Sequence, residues 1–174
     1  MIAAVDGISL PATQESVAEV GRRVVALGHE AGLGSDGCYR LRLATEEIVA
    51  NVVAHGYHCT PDCAPDCTPD TARDAPTLEV RFGCDPDLVW VCVVDSARPF
   101  DPTAVGAPDD LDAPLSQRTP GGLGIHLVRS SLDEFRYRRD GPHNHVTLGV
   151  SRTRPADDPA RNGGADGTDG PDRV

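Results

Sequence analysis

Lysine is missing from this chain altogether: all 16 basic residues among its 174 are arginine. That excludes one class of nucleotide site, because a P-loop needs a lysine on the phosphates. Any nucleotide must be held by other means. Positive charge is scarce as well. Against 27 acidic residues the formal net charge is −11, and an acidic surface repels phosphate backbones, which argues against nucleic acid and anionic membrane as partners. No apolar run approaches the roughly 20 residues that span a bilayer. The opening segment, MIAAVDGISLPA, has neither a basic stretch nor a long apolar one, so no signal peptide is expected and the expected compartment is the cytoplasm. Without an export signal, the six cysteines are not expected to pair. Cys38, Cys84 and Cys92 fall in regularly patterned segments and read as small buried hydrophobes.

What is present reads as one soluble domain followed by a tail. Ile8–Leu10 closes a short strand, and Thr13 can cap a helix carrying Val17, Val20, Val24, Leu27 and Ala31 at helical spacing. Gly32 and Gly34 end it. Ser35 or Asp36 can cap a second helix reaching about Gly56, with Leu41, Ala44, Ile48 and Val52 as its stripe and Val49 and Val53 widening it. Leu78, Val80 and Phe82 alternate with charged residues as a half-buried strand does. Leu88–Val94 is apolar throughout, which predicts a central strand covered on both faces or nearly so. Prolines at 102, 108, 114 and 120 and small polar residues mark a long mobile loop over 101–120. A third helix is predicted from about Gly122 to Leu132. Two alternating strands follow, around Phe135 and Tyr137 and around Val146, Leu148 and Val150, joined by a turn at Asp140-Gly141-Pro142. The order β-α-α-β-β-loop-α-β-β predicts an α+β fold, a two-layer sandwich with helices on one face of a mainly antiparallel sheet. The predicted domain covers 1–151, with a low-complexity loop insertion at 58–75. Residues 152–174, poor in large apolar side chains, are expected to form a disordered tail.

Three motifs carry chemistry. Glu47, Asn51 and His55 recur at i, i+4 and i+8, so they share one helical face beside the apolar stripe. There an amide oxygen suits one corner of a Mg²⁺ octahedron, and a carboxylate one turn earlier can accept a proton from an attacking hydroxyl. Asp95 ends the apolar strand, placed to accept a hydrogen bond from a ligand's amino group. The run Pro120, Gly121, Gly122, Leu123, Gly124 opens a helix, where close backbone approach and free amide groups make an anion site. Each motif alone also has a plain reading: a solvated helix edge, a turn after a strand, a helix cap.

In combination, and in this order, the motifs resemble the Bergerat ATP-binding fold shared by gyrase, histidine kinases and mismatch-repair ATPases. Within that group, Ala44-Thr-Glu-Glu-Ile-Val-Ala-Asn-Val-Val-Ala-His-Gly-Tyr57 and the run from Gly121 to Glu134 look like the anti-sigma-factor serine kinases, as does the Pro99-Phe100-Asp101 end of the middle motif. The resemblance covers roughly residues 5–151. It implies ATP and Mg²⁺ as cofactors, Glu47 as catalytic base, Asn51 as Mg²⁺ ligand, Asp95 on the adenine amino group, and the Gly121–Gly124 loop on the phosphates, with Gly122 and Gly124 in contact. It assigns no role to His55 and Tyr57 beyond closing the helix and packing. It further implies phosphorylation of a serine on an anti-anti-sigma (STAS-type) partner and sequestration of a sigma factor, often by a homodimer. The alternative is a non-catalytic ATP-binding module that controls partner exchange.

The chain departs from that family's pattern in three places. Ala97 stands two residues after Asp95 where glycine is usual; a backbone needing positive φ or close approach to adenine would make that alanine cost about 1 kcal/mol. An arginine often precedes the final glycines to steady the γ-phosphate. Here Thr119 and Pro120 occupy that neighbourhood and Arg118 is the nearest candidate. The third departure is the four-residue repeat over 58–70. Cys59, Cys63 and Cys67 with His58 have the ligand types of a Cys₃His zinc site. The spacing is C-x₃-C-x₃-C, however, and each unit repeats Pro-Asp as faithfully as Cys. A slipped repeat in a tolerant loop explains both.

Overall fold

The computed structural model describes residues 6–57, 76–106 and 123–152. Strand β1 (Asp6–Pro11) leads into helices α1 (Gln14–Glu30) and α2 (Ser35–Asn51), and α2 runs on as a single π-helical turn over Val52–Gly56. Strands β2 (Thr77–Cys84) and β3 (Leu88–Asp95) follow, then a 3₁₀ turn at Pro102–Ala104, helix α3 (Leu123–Ser131), and strands β4 (Glu134–Asp140) and β5 (His143–Ser151). The sheet is antiparallel throughout, in the order β1-β2-β3-β5-β4. This is the expected α+β sandwich.

The apolar periodicities build the core as patterned. Val20 and Val24 of α1, and Leu41, Ala44, Ile48 and Val49 of α2, are buried against Val80, Phe82, Val91 and Leu148. A fully buried aliphatic side chain stabilises by about 1.5–3 kcal/mol. The two helices approach closely at Gly28, where a Cβ would come within 2.7 Å of Cys38 Sγ. Gly32 takes φ +77° and lets the chain leave α1. Arg40 joins α2 to the end of α3 by donating to the Ser131 carbonyl (2.8 Å), a cation on the carbonyl end of a helix.

Some expectations need correcting. The residue that caps α2 is Gly34, one position before Ser35; Asp36 lies in the first turn and pairs with Arg40 (3.0 Å). Thr13 holds the cap position of α1 but its side chain caps no backbone amide. Helical chain does reach Gly56, but the last turn is widened to π form. Among the described residues helices cover one face of β3, where Val89, Val91 and Val93 are fully buried; on the other face Trp90 and Cys92 are partly exposed and Val94 is buried. The Trp90 ring there lies over Gly83, where a Cβ would sit 2.6 Å from Cε2. The start of the long loop is ordered, because Asp101 Oδ1 accepts from the Thr103 amide (2.8 Å) and hydroxyl (2.6 Å) and caps the 3₁₀ turn. The insertion at 58–75 and the predicted tail from 153 lie outside the described residues, and so does the Cys₃His set. Among the described residues no group of metal-ligating side chains occurs and no helix is long and apolar enough to cross a membrane.

Candidate functional site

The strand register explains how polar side chains reach the helix side of the sheet. Val89, Val91 and Val93 of β3 pair with Val150, Leu148 and Val146 of β5, and the next pair in the same row is Asp95 with Asn144. Side chains alternate faces with period two. Both polar residues therefore point to the layer that the valines fill, at the end of the sheet where that layer opens.

A cleft of about 420 Å³ lies there. Ile48, Val52, Phe100, Ile125 and Val146 supply its apolar walls. Asn51, His55, Asp95, Arg98 and Asn144 supply its polar groups. An apolar cleft with a few convergent polar groups is the usual form of a small-molecule site. The face of the sheet away from the helices carries a broader hollow of about 680 Å³, lined by Arg81, Trp90, Cys92, Arg138 and His145 among others, and none of the predicted site residues among the described ones lines it.

Asp95 is 3% exposed, and a buried carboxylate must be compensated. Its Oδ1 accepts from the Ala97 amide (2.9 Å) and from Asn144 Nδ2 (2.8 Å). The first of these is the local turn that Asp-Ser-Ala favours. The second spans 49 residues of sequence. No hydrogen bond among the described residues ends on Oδ2, which leaves that oxygen as an acceptor for the cleft.

Glu47 sits one turn before Asn51, beside the cleft. Its carboxylate lies directly against Gly124 at the head of α3: a Cβ at Gly124 would collide with Glu47 Oε2 and stand 3.3 Å from Cδ. Glu47 and Asn51 of α2, Asp95 of β3 and Gly124 of α3, from three separate stretches of the sequence, thus lie at one end of the fold. Leu123 opens α3. Arg118, Gly121 and Gly122 lie outside the described residues.

Ala97 is buried in the cleft wall against Gly56, where a Cβ would come within 2.9 Å of the Ala97 methyl. The methyl that departs from the family pattern occupies space that glycine leaves free in the π-helical turn. Tyr57 closes that turn by donating to the Thr77 carbonyl (3.0 Å), and burial raises its phenol pKa. His55 does more than close the helix, since it lines the cleft.

Two contributors escaped the sequence reading. Asn144 is 3% exposed and bonds to Asp95. Arg129 of α3 donates to the carbonyls of Thr103 and Val105 (3.0 Å to the latter), tying α3 to the 3₁₀ turn beside the cleft. The alternation that ends on Val146 does extend to Asn144, which is the one signal that could have found it.

The donor set suits a nucleotide with its metal. The cleft offers a carboxylate oxygen for a base amino group and an amide oxygen on α2 for a divalent cation. At the head of α3, Gly124 leaves no side chain between the backbone and its surroundings.

The profile of the histidine kinase-like ATPase domain family matches residues 10–150. A serine-protein kinase RsbW from Bacillus cereus (strain AH187) is 23% identical over 137 residues, covering 76% of each chain. The serine-protein kinase RsbW of Bacillus mycoides (strain KBAB4) is 21% identical over 136 residues, with the same coverage. Among solved structures, the RsbU and RsbW domains of a Mycobacterium tuberculosis protein superpose with a TM-score of 0.55 at 19% identity. That match covers 88% of this chain, which spans 34% of the solved one, and it supports the fold.

Proposed function

We propose, on the premise that this chain belongs to the histidine kinase-like ATPase domain family, that it is an anti-sigma-factor serine kinase. It binds Mg-ATP in the cleft, transfers the γ-phosphoryl group to a serine hydroxyl of an anti-anti-sigma partner of STAS type, and binds a sigma factor. The observation that carries this reading is the seating of the Glu47 carboxylate against Gly124, beside a cleft lined by Asn51 and Asp95. The likeness to the RsbW serine-protein kinases supports it. Residues 1–151 form the ATP-binding domain in this proposal, and the working form is a homodimer.

Asp95 Oδ2 accepts from the adenine amino group, and the apolar walls cover the faces of the base. Asn51 offers its amide oxygen to the cation. Mg²⁺ bound with ATP would offset phosphate charge during transfer. The run from Gly121 to Gly124 is assigned to the phosphates, and Arg118 is the nearest arginine before it in sequence. Glu47 accepts the proton of the serine hydroxyl as its oxygen bonds to the γ-phosphorus. The bond from that phosphorus to the β,γ-bridging oxygen breaks and ADP leaves.

The test incubates the protein with Mg-ATP and a cognate anti-anti-sigma protein, and reads phosphoserine by mass spectrometry. Wild type should transfer. Glu47→Ala should bind ATP and fall by a factor of about 10² or more in rate, and Asn51→Ala should lose Mg-dependent affinity. Tight ATP binding without transfer would favour the non-catalytic module, and absence of ATP binding would remove the reading altogether.

A further inference from the structure

We infer that Asn144 is a positioning residue for base selection: anchored by Arg139, it holds Asp95 so that Oδ2 faces the cleft as an acceptor. This rests on the reading of the cleft as an ATP site and assigns that site's base preference to residues outside the expected motifs.

The orientation of the Asn144 amide is forced by its neighbours. On one side stand three acceptors: Asp95 Oδ1 at 2.8 Å, the Ala97 carbonyl at 3.3 Å and the Arg98 carbonyl at 3.1 Å. On the other stand Arg139 Nη1 at 2.7 Å and the Tyr137 hydroxyl at 2.9 Å. A backbone carbonyl can only accept and a guanidinium can only donate, so nitrogen faces Asp95 and oxygen faces Arg139. Arg139, Asn144 and Asp95 occupy one cross-strand row, through the pairs Arg139 with Asn144 and Asp95 with Asn144.

The row therefore transmits a polarity. Arg139 fixes Asn144, and Asn144 donates to Asp95 Oδ1, which also accepts from the Ala97 amide at 2.9 Å. With both donors on Oδ1, the other oxygen is left for the cleft and meets a donor favourably and a carbonyl oxygen unfavourably. That is a rule for adenine over a base with a 6-oxo group. Without Asn144, the Ala97 amide is the one donor left on the carboxylate among the described residues, and partial rotation about its terminal bond turns Oδ2 out of line with the cleft. Arg139 Nη1 also donates to the Ala97 carbonyl at 3.0 Å, so the anchor braces the turn after Asp95 as well.

The experiment compares equilibrium affinities of the full chain for Mg-ATP and for Mg-purine riboside 5′-triphosphate, which lacks the amino group. A hydrogen bond to a charged acceptor predicts that wild type prefers ATP by about tenfold or more. Asn144→Ala should cut the preference to about threefold or less while changing affinity for the analogue by less than about threefold. Arg139→Met, which leaves Asn144 in place, should reduce the preference in the same direction, and it carries the test if Asn144→Ala does not fold. Equal weakening of both nucleotides would mark Asn144 as merely structural and overturn the inference, as would an unchanged preference in either folded variant. A wild type that binds both nucleotides equally well would overturn it while leaving the nucleotide site standing. A wild type that binds neither would remove the site reading itself.

Discussion

Gly124 is the residue at which fold and proposed chemistry are hardest to separate. It lies in the first turn of α3, at a position where any side chain would run into Glu47 Oε2, while the Cγ of Glu47 stays 3.9 Å from the Cβ position. The conflict thus falls on the far end of a flexible side chain. Gly124→Ala should leave the backbone intact and swing the carboxylate aside. Phosphoryl transfer, if Glu47 is its base, should drop about tenfold or more, because small misplacements of a reacting group are costly. The melting temperature should move little, since alanine is the better helix former. A variant with normal transfer would show that the base does not need this seat. Asn51 has a freer position, on the cleft wall, and needs no such vacancy.

At the scale of elements, the π-helical turn and the β3 end form a matched pair. Gly56 in the turn and Ala97 after the strand exclude a second methyl between them. Gly56→Ala should therefore destabilise by about 1–3 kcal/mol, as overpacking does. Ala97→Gly added to it should recover much of that loss, read as denaturant midpoints of the two single variants and the double. A loss that the double variant keeps would locate the strain elsewhere. The pairing was not legible in the sequence, which placed Ala97 as a departure without its compensation, because a π turn has no periodic signature and the contact joins distant segments. By contrast, Leu78, Val80 and Phe82 announced β2 by alternation alone, and the spacing of Glu47 and Asn51 announced a shared helix face. The cover of β3 could not be read. Val89 to Val94 is apolar at both parities, and which face receives helices is decided by where α1 and α2 pack. Asn144 lay hidden for a related reason, since His143-Asn-His145 after a turn reads as polar surface until the register sets Asn144 opposite Asp95.

The described residues make the molecule two-sided, with helices and cleft on one face of the sheet and arginines, Trp90 and His145 on the other. Its dependence on pH follows from that second face. His145 is 8% exposed. Burial first, then the Arg138 and Arg81 guanidinium groups, lower its pKa, with Asp140 pulling weakly the other way. Arg138 Nη2 stands 3.3 Å from its Nδ1. The folded chain thus holds this proton less tightly than the unfolded chain, whose histidines titrate near about 6.5. Below that value the unfolded state binds more protons, so stability falls as pH falls through the window down to the folded pKa. Glu79 adds a later loss in the same direction, because its hydrogen bonds from Arg81 lower its pKa and are forfeited on protonation in acid. Thermal melts should accordingly show a lower midpoint at pH 5.5 than at pH 7.5. His145→Gln, which cannot take up the proton, should flatten that step while leaving the more acidic loss in place. An equal step in the variant would show that His145 is not the source of the loss.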